Sequence, residues 1–223
     1  MTNRIQLTGL FVFLAIIPLR VLSQTPAQTV LIETSKGNLK CILYEETPMH
    51  SENFVKLARE GFYDGLLFHR VVRDFMIQTG DPNSRNAQKG VALGYGDSGY
   101  RIPAEFHPDL YHRKGSLAAA RQGDQVNPGR ESNGSQFYIV QGRKFTDAEL
   151  DAMEKSGAHI PFTADQRKIY RETGGAPHLD YAYTVFGEVV EGFETIDKIA
   201  SVPTDSRDRP LDDVKIIRIS VLK

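Results

Sequence analysis

Three short stretches carry side chains whose types and spacing could do chemistry. Phe68-His69-Arg70 sets one arginine among apolar neighbours, and Phe75-Met76-Ile77-Gln78-Thr79-Gly80-Asp81 follows closely. Further on, Asn133-Gly134-Ser135-Gln136-Phe137-Tyr138 adds a second glutamine and another aromatic. A cationic fork, two amides and an aromatic and thioether wall contain no nucleophile paired with a base. They also make a poor ligand set for a metal. Arginine is always charged and presents a rigid donor fork, while glutamine both donates and accepts. Such a set suits gripping a peptide bond without breaking it.

Other signals are weaker. Gly94-Tyr95-Gly96-Asp97-Ser98-Gly99 fits the dinucleotide fingerprint literally, but Pro103 opposes the helix that should follow, so it reads as a turn-rich loop. His107 and His112 are too loosely placed to suggest a metal pair. Asn133-Gly134-Ser135 is formally a glycosylation sequon, yet Asn-Gly ahead of a strand reads first as a turn. Cys41 is the only cysteine, which excludes an intramolecular disulfide and a thiolate cage. In an apolar alternating run it reads as a small buried hydrophobe. No metal or cofactor is expected. Charge is balanced, 27 basic against 28 acidic residues, with no Lys/Arg block, so no nucleic-acid partner is expected.

The elements that must position these residues are short. Residues 29–34 and 38–44 form a hairpin through Ser35-Lys36-Gly37-Asn38. Thr47-Pro48 opens a helix with threonine at the cap, and Gly61 closes it. Short strands follow near 67–71, 75–78, 116–120, 136–140 and 184–190, then a helix over 193–200 and a closing strand over 214–222. With 223 residues, 40% of them hydrophobic, the chain suits one ordinary domain. Short strands and few helices suggest a β-barrel or sandwich, between which periodicity does not choose. Residues 144–177 differ: Thr146-Asp147-Ala148-Glu149 and Thr163-Ala164-Asp165-Gln166 are capping-box patterns opening two helical runs. This insertion reads either as a solvated decoration or as a rim that selects substrates or partners.

Residues 1–23 read as a signal peptide, with Arg4 as the positive region and an apolar run to Leu19. Cleavage near Ser23 leaves residues 24–28 as a short tether before the domain, 29–223. The expectation is an exported protein, periplasmic or extracellular. It would have no stable membrane span after cleavage, or a membrane tether if the signal is retained.

The blocks above, with Ile102-Pro103-Ala104-Glu105-Phe106, Gly115-Ser116-Leu117-Ala118-Ala119-Ala120 and Val185-Phe186-Gly187-Glu188-Val189, stand in the order of a known family. Over roughly residues 29–222 the chain resembles a cyclophilin, a peptidyl-prolyl cis-trans isomerase. The resemblance implies a mainly β fold: a closed eight-stranded antiparallel barrel capped by two helices, here with a helical insertion. It implies Arg70 and Gln78 as catalytic residues. It also implies that Phe75, Met76, Tyr138 and Leu179 wall a proline pocket, with Gln136 nearby. Ala120 and Arg121 match a strand edge that pairs with substrate backbone, and Tyr183 and His178 border the pocket.

Some positions depart from the family pattern. Tyr138 replaces the usual phenylalanine, so its hydroxyl needs a partner. Arg121 replaces a common asparagine, Gln122 a small residue and Tyr183 a common histidine. His178 stands where many eukaryotic members carry a tryptophan that contacts cyclosporin, which puts tight cyclosporin binding in doubt. His69 reads as structural. The implied activity is isomerisation of X–Pro bonds in exported proteins, by a monomer that assists their folding through proline-containing segments. A proline-peptide binding module or chaperone remains the alternative.

Overall fold

The computed structural model describes residues 28–222. The expected signal peptide and tether residues 24–27 lie outside them. Burial alternates along β1 (Thr29–Thr34) and β2 (Gly37–Leu43), which pair as the expected hairpin. After α1 (Pro48–Arg59) come β3 (Arg70–Val72) and β4 (Met76–Thr79), then β5 (Arg101–Ile102) and β6 (Ser116–Ala119). They are followed by β7 (Ser132–Asn133), β8 (Phe137–Val140), α2 (Asp147–Lys155) and α3 (Ala164–Glu172). β9 (Val185–Glu191), α4 (Phe193–Ala200) and β10 (Ile216–Val221) complete the chain.

Eight strands form one antiparallel sheet in the order β10-β1-β2-β9-β6-β8-β4-β3, while β5 and β7 pair separately. The expected eight strands are present as a curled half-barrel sheet, which strand pairing leaves open between β3 and β10. The end strands β3 and β10 share no ladder. A loop residue takes the outer edge of β3: the Val71 amide donates to the Asp208 carbonyl at 2.8 Å. Residues 65–68, ahead of β3, meet residues 214–216, at the start of β10, through a Leu67–Lys215 bridge and bonds such as Phe68 N–H to Val214 O at 2.9 Å and Ile216 N–H to Leu66 O at 2.8 Å.

The two faces of the sheet do different work. Val71, Ile77, Leu117 and Ile139 point into the main core, with Phe54 and Leu57 of α1 and Ile196 and Ile199 of α4. Cys41 is fully buried in that core, as expected, and burial pushes its thiol pKa up. The alternate residues Met76, Ala118, Tyr138 and Val140 face outward into a second apolar cluster with Phe75, Leu179 and Tyr183. α1 packs on β9 and β10, and α4 on β2, β3 and β4.

Thr47 stands at the N-cap of α1 without capping it through its side chain. Glu105 does that work instead, accepting from the Met49 and His50 amides at 3.1 and 3.0 Å. A carboxylate there satisfies orphan donors and complements the helix dipole. In the insertion both capping boxes form, at Thr146/Glu149 and Thr163/Gln166. Leu150, Phe162 and Tyr170 give the insertion its own small core.

Candidate active site

The outward row is set by strand register. Arg70 pairs with Gln78, Gln78 with Tyr138, and Tyr138 with Ala118, across β3, β4, β8 and β6. Laterally paired residues share a face, so the arginine, the glutamine and the aromatic project to one side. They line a cleft of about 390 Å³ together with Phe75, Met76, Ala120, Arg121, Leu179 and Tyr183.

Arg70 is half-exposed at the rim. Its Nε meets Asp208 Oδ2 at 3.4 Å, and among the described residues its terminal nitrogens have no partner. Gln78 donates through Nε2 to Gln136 Oε1 at 3.0 Å. Gln136 donates in turn to the carbonyls of Gly94 at 3.1 Å and Gly96 at 2.6 Å. Carbonyls only accept, so this chain fixes both amide orientations and leaves Gln78 Oε1 as the free acceptor. Gln136 lines an adjoining cavity of about 280 Å³. The juncture is tight: Gly80 has φ +90°, and a Cβ there would sit 2.2 Å from the Ser135 carbonyl. Only glycine adopts that backbone without strain.

The expected strand edge is present only in part. The Ala120 amide donates to Gln136 O at 2.9 Å, and its carbonyl accepts from Asn133 N–H at 2.8 Å. Ala120 is thus engaged within the protein, whereas the Arg121 main chain carries no hydrogen bond among the described residues. The Arg121 side chain turns aside: Nε donates to Ala182 O at 2.7 Å, and the guanidinium stacks 4.5 Å from the Tyr183 ring centre. Gln122 accepts from Arg101 at 2.6 Å beside the adjoining cavity. His178 does not line the cleft; it packs on Phe75 with ring centres 5.2 Å apart. His69 is buried, and burial pulls its pKa down to about 4, so it is neutral at physiological pH.

The Tyr138 hydroxyl has a protein partner, His112 Nε2 at 3.0 Å. His112 Nδ1 lies 2.9 Å from Asp180 Oδ1, which also accepts the His112 amide at 2.8 Å. Asp180 Oδ2 accepts from His159 Nε2 at 3.1 Å and from the Tyr170 hydroxyl at 2.6 Å. Burial pushes the Asp180 carboxyl up, but bonds from His112, His159 and Tyr170 outweigh it and hold the pKa down to about 2. Sequence reasoning missed this network, and it set His112 aside after testing it only as a metal ligand. It also missed the Val91, Leu93 and Tyr95 wall and the nearby Arg207 and Arg209. A glycine-rich loop beside a strand was the available signal for the first of these.

The comparisons agree with this geometry. The family described as cyclophilin type peptidyl-prolyl cis-trans isomerase/CLD matches residues 29–221, and the chain belongs to it. A putative peptidyl-prolyl cis-trans isomerase of Staphylococcus saprophyticus is 36% identical over 87% of this chain and 91% of its own length. A putative bifunctional phosphatase/peptidyl-prolyl cis-trans isomerase of Streptococcus pyogenes is 40% identical over 86% of this chain. The match spans only 38% of that longer protein. Among solved structures, a Cryptosporidium parvum cyclophilin type isomerase superposes with a TM-score of 0.63 at 28% identity. That match covers 88% of this chain and 98% of the other. The same protein has been crystallised in the presence of the dipeptide Ala-Pro, with a TM-score of 0.62.

Proposed function

We propose that this cyclophilin-type isomerase accelerates X–Pro exchange in exported proteins and so assists their folding. The observation that carries the catalytic part is Arg70, with its outer donors unengaged, beside the apolar wall of Phe75, Met76, Tyr138 and Leu179. Resonance gives the peptide C–N bond a barrier of about 20 kcal/mol. In the twisted state the nitrogen regains its lone pair, and a donor aimed at that nitrogen binds the twisted form better than either planar isomer. That difference lowers the barrier. A charge-assisted bond contributes roughly 1.5–3 kcal/mol. Each tenfold in rate needs about 1.4 kcal/mol, so Arg70 supplies one or two powers of ten. The rest is assigned to the pocket. The planar amide is more charge-separated than the twisted one, so an apolar wall disfavours the ground state. Gln78 Oε1 offers an acceptor to the substrate backbone, and Arg121 offers a main-chain edge; both hold the segment while the acyl part turns.

Bonds joining residues 65–68 to 214–216 support reading the curled sheet as a barrel closed by loops and bridges rather than by a ladder. The apolar run of residues 1–23 supports export, and no described helix is long and apolar enough to cross a membrane.

The test follows exchange of a short X–Pro peptide with residues 24–223 and with the Arg70→Ala variant. No acceleration by the unaltered protein overturns the enzymatic reading and favours a binding module. Equal acceleration by both overturns the role of Arg70. Mass analysis of secreted or periplasmic fractions for a chain beginning near Gln24 tests export.

A further inference from the structure

The proline pocket is wired to the insertion through buried polar groups that a simple isomerase site does not call for. We infer that His159 and Tyr170 of the insertion, acting through Asp180 and His112, are positioning residues that fix Tyr138 in the pocket wall. The inference rests on the isomerase reading for its consequence, but its geometry stands apart from it.

The five groups are each almost wholly enclosed. A carboxylate only accepts, so His112 Nδ1 carries the proton toward Asp180. Nε2, on the far side of the ring, is left to pair with the Tyr138 hydroxyl at 3.0 Å. The hydroxyl is therefore turned away from the cleft, and the ring presents an apolar face to a substrate proline. The His112 and Tyr138 rings lie nearly parallel, 13° apart, with Tyr183 edge-on to both.

What holds Asp180 is the insertion. Oδ1 is satisfied by His112, but both partners of Oδ2, His159 Nε2 and the Tyr170 hydroxyl, come from residues 144–177. Without them a buried carboxylate would keep one oxygen unpaired, which buried polar networks do not tolerate well. Asp180 also follows Leu179 directly, so the same anchor sets a second pocket wall. The base of the insertion is pinned alongside: the Ala176 amide donates to the His112 carbonyl at 2.8 Å. The insertion thus completes the carboxylate, the carboxylate sets the histidine, and the histidine sets the tyrosine.

The experiment is a double-mutant cycle between Tyr170→Phe and Tyr138→Phe, read in two ways. Tyr170→Phe deletes one hydroxyl and keeps the ring in its cluster with Leu150 and Phe162. The first readout is kcat/KM on an X–Pro peptide. Tyr170→Phe alone is expected to lower it about threefold or more, as for residues in one hydrogen-bond network. Its effect should shrink once Tyr138 is phenylalanine, where only the Leu179 anchor remains to be disturbed. The second readout is the Tyr138 ring Cζ resonance in protein carrying labelled tyrosine, which should shift in Tyr170→Phe. An equal fall in both backgrounds, or an unmoved resonance, overturns the inference. If Tyr170→Phe does not fold, His159→Gln replaces it in the same cycle. If the unaltered protein proves inactive, the function reading fails, and the resonance alone decides the coupling.

Discussion

Asp208 holds Arg70 by the inner edge of its guanidinium, at 3.4 Å, and leaves the outer edge facing the cleft. The arginine is restrained without being neutralised across its whole fork, an arrangement suited to a donor that must meet a passing nitrogen. Asp208 itself has a left-handed backbone, φ 62°, and its carbonyl takes the amide of Val71, so the loop that aims Arg70 is itself bonded to β3.

Arg70→Ala should lower kcat/KM by about ten- to a hundredfold. Arg70→Lys should recover little of this, because lysine has no planar fork. Neither change should move the denaturation midpoint much, since a half-exposed ion pair contributes only about 0–1 kcal/mol. Exchange kinetics and urea titrations on the same samples check both statements. A large stability loss would show Arg70 to be a structural residue.

Gln136→Leu keeps the bulk of the side chain and removes its amide. The Gly94 and Gly96 carbonyls and Gln78 Nε2 all lose their partner, at a cost of roughly 1–3 kcal/mol for the buried group left unsatisfied. The loop carrying Tyr95 should loosen and KM should rise. Hydrogen exchange across residues 91–97, alongside kinetics, would report it; unchanged protection there speaks against the clamp.

For α1, two substitutions should behave oppositely to what the sequence alone suggests. Thr47→Val should be nearly neutral, because the buried hydroxyl makes no hydrogen bond. Glu105→Ala should cost about 1–2 kcal/mol, as the loss of an N-cap does. Equilibrium unfolding of the two variants distinguishes them, and the reverse ranking would return the capping role to Thr47.

Acid stability should carry the mark of His69. Its folded pKa is about 4, below the ordinary 6.5, because burial disfavours the cation. The unfolded chain therefore takes up the proton first as pH falls. The contribution is fully present above about pH 6.5 and is lost progressively down to pH 4, by up to about 3 kcal/mol. His69→Gln should flatten that segment of the stability profile. Identical profiles for both proteins would contradict the buried neutral state.

Local patterns were legible in the sequence. The β1–β2 hairpin, the span of α4 and both capping boxes follow from alternation, period and end chemistry within a few residues. The cleft was legible as a set of residue types and, through the family resemblance, as positions. Register was not, because the alignment of Arg70, Gln78 and Tyr138 depends on strands far apart in the chain. The capping of α1 was missed because a local threonine outranked a carboxylate 55 residues away. The Tyr138 hydroxyl was flagged as needing a partner. That partner was out of reach of sequence reasoning, since His112 lies 26 residues from Tyr138 and is itself held by Asp180, 68 residues further along.

The division of the sheet into a packed face and a working face has a consequence for protein engineering. Along β4 the core takes Ile77, while the cleft takes Met76 and Gln78 on either side of it. Randomising Met76 and Gln78 with Tyr138, while holding Ile77, Leu117 and Ile139, amounts to rewriting a text on one side of a page. A library built that way should retain folded members while sampling new ligand preferences. A single-residue insertion in β4 would swap the two sides and lose both.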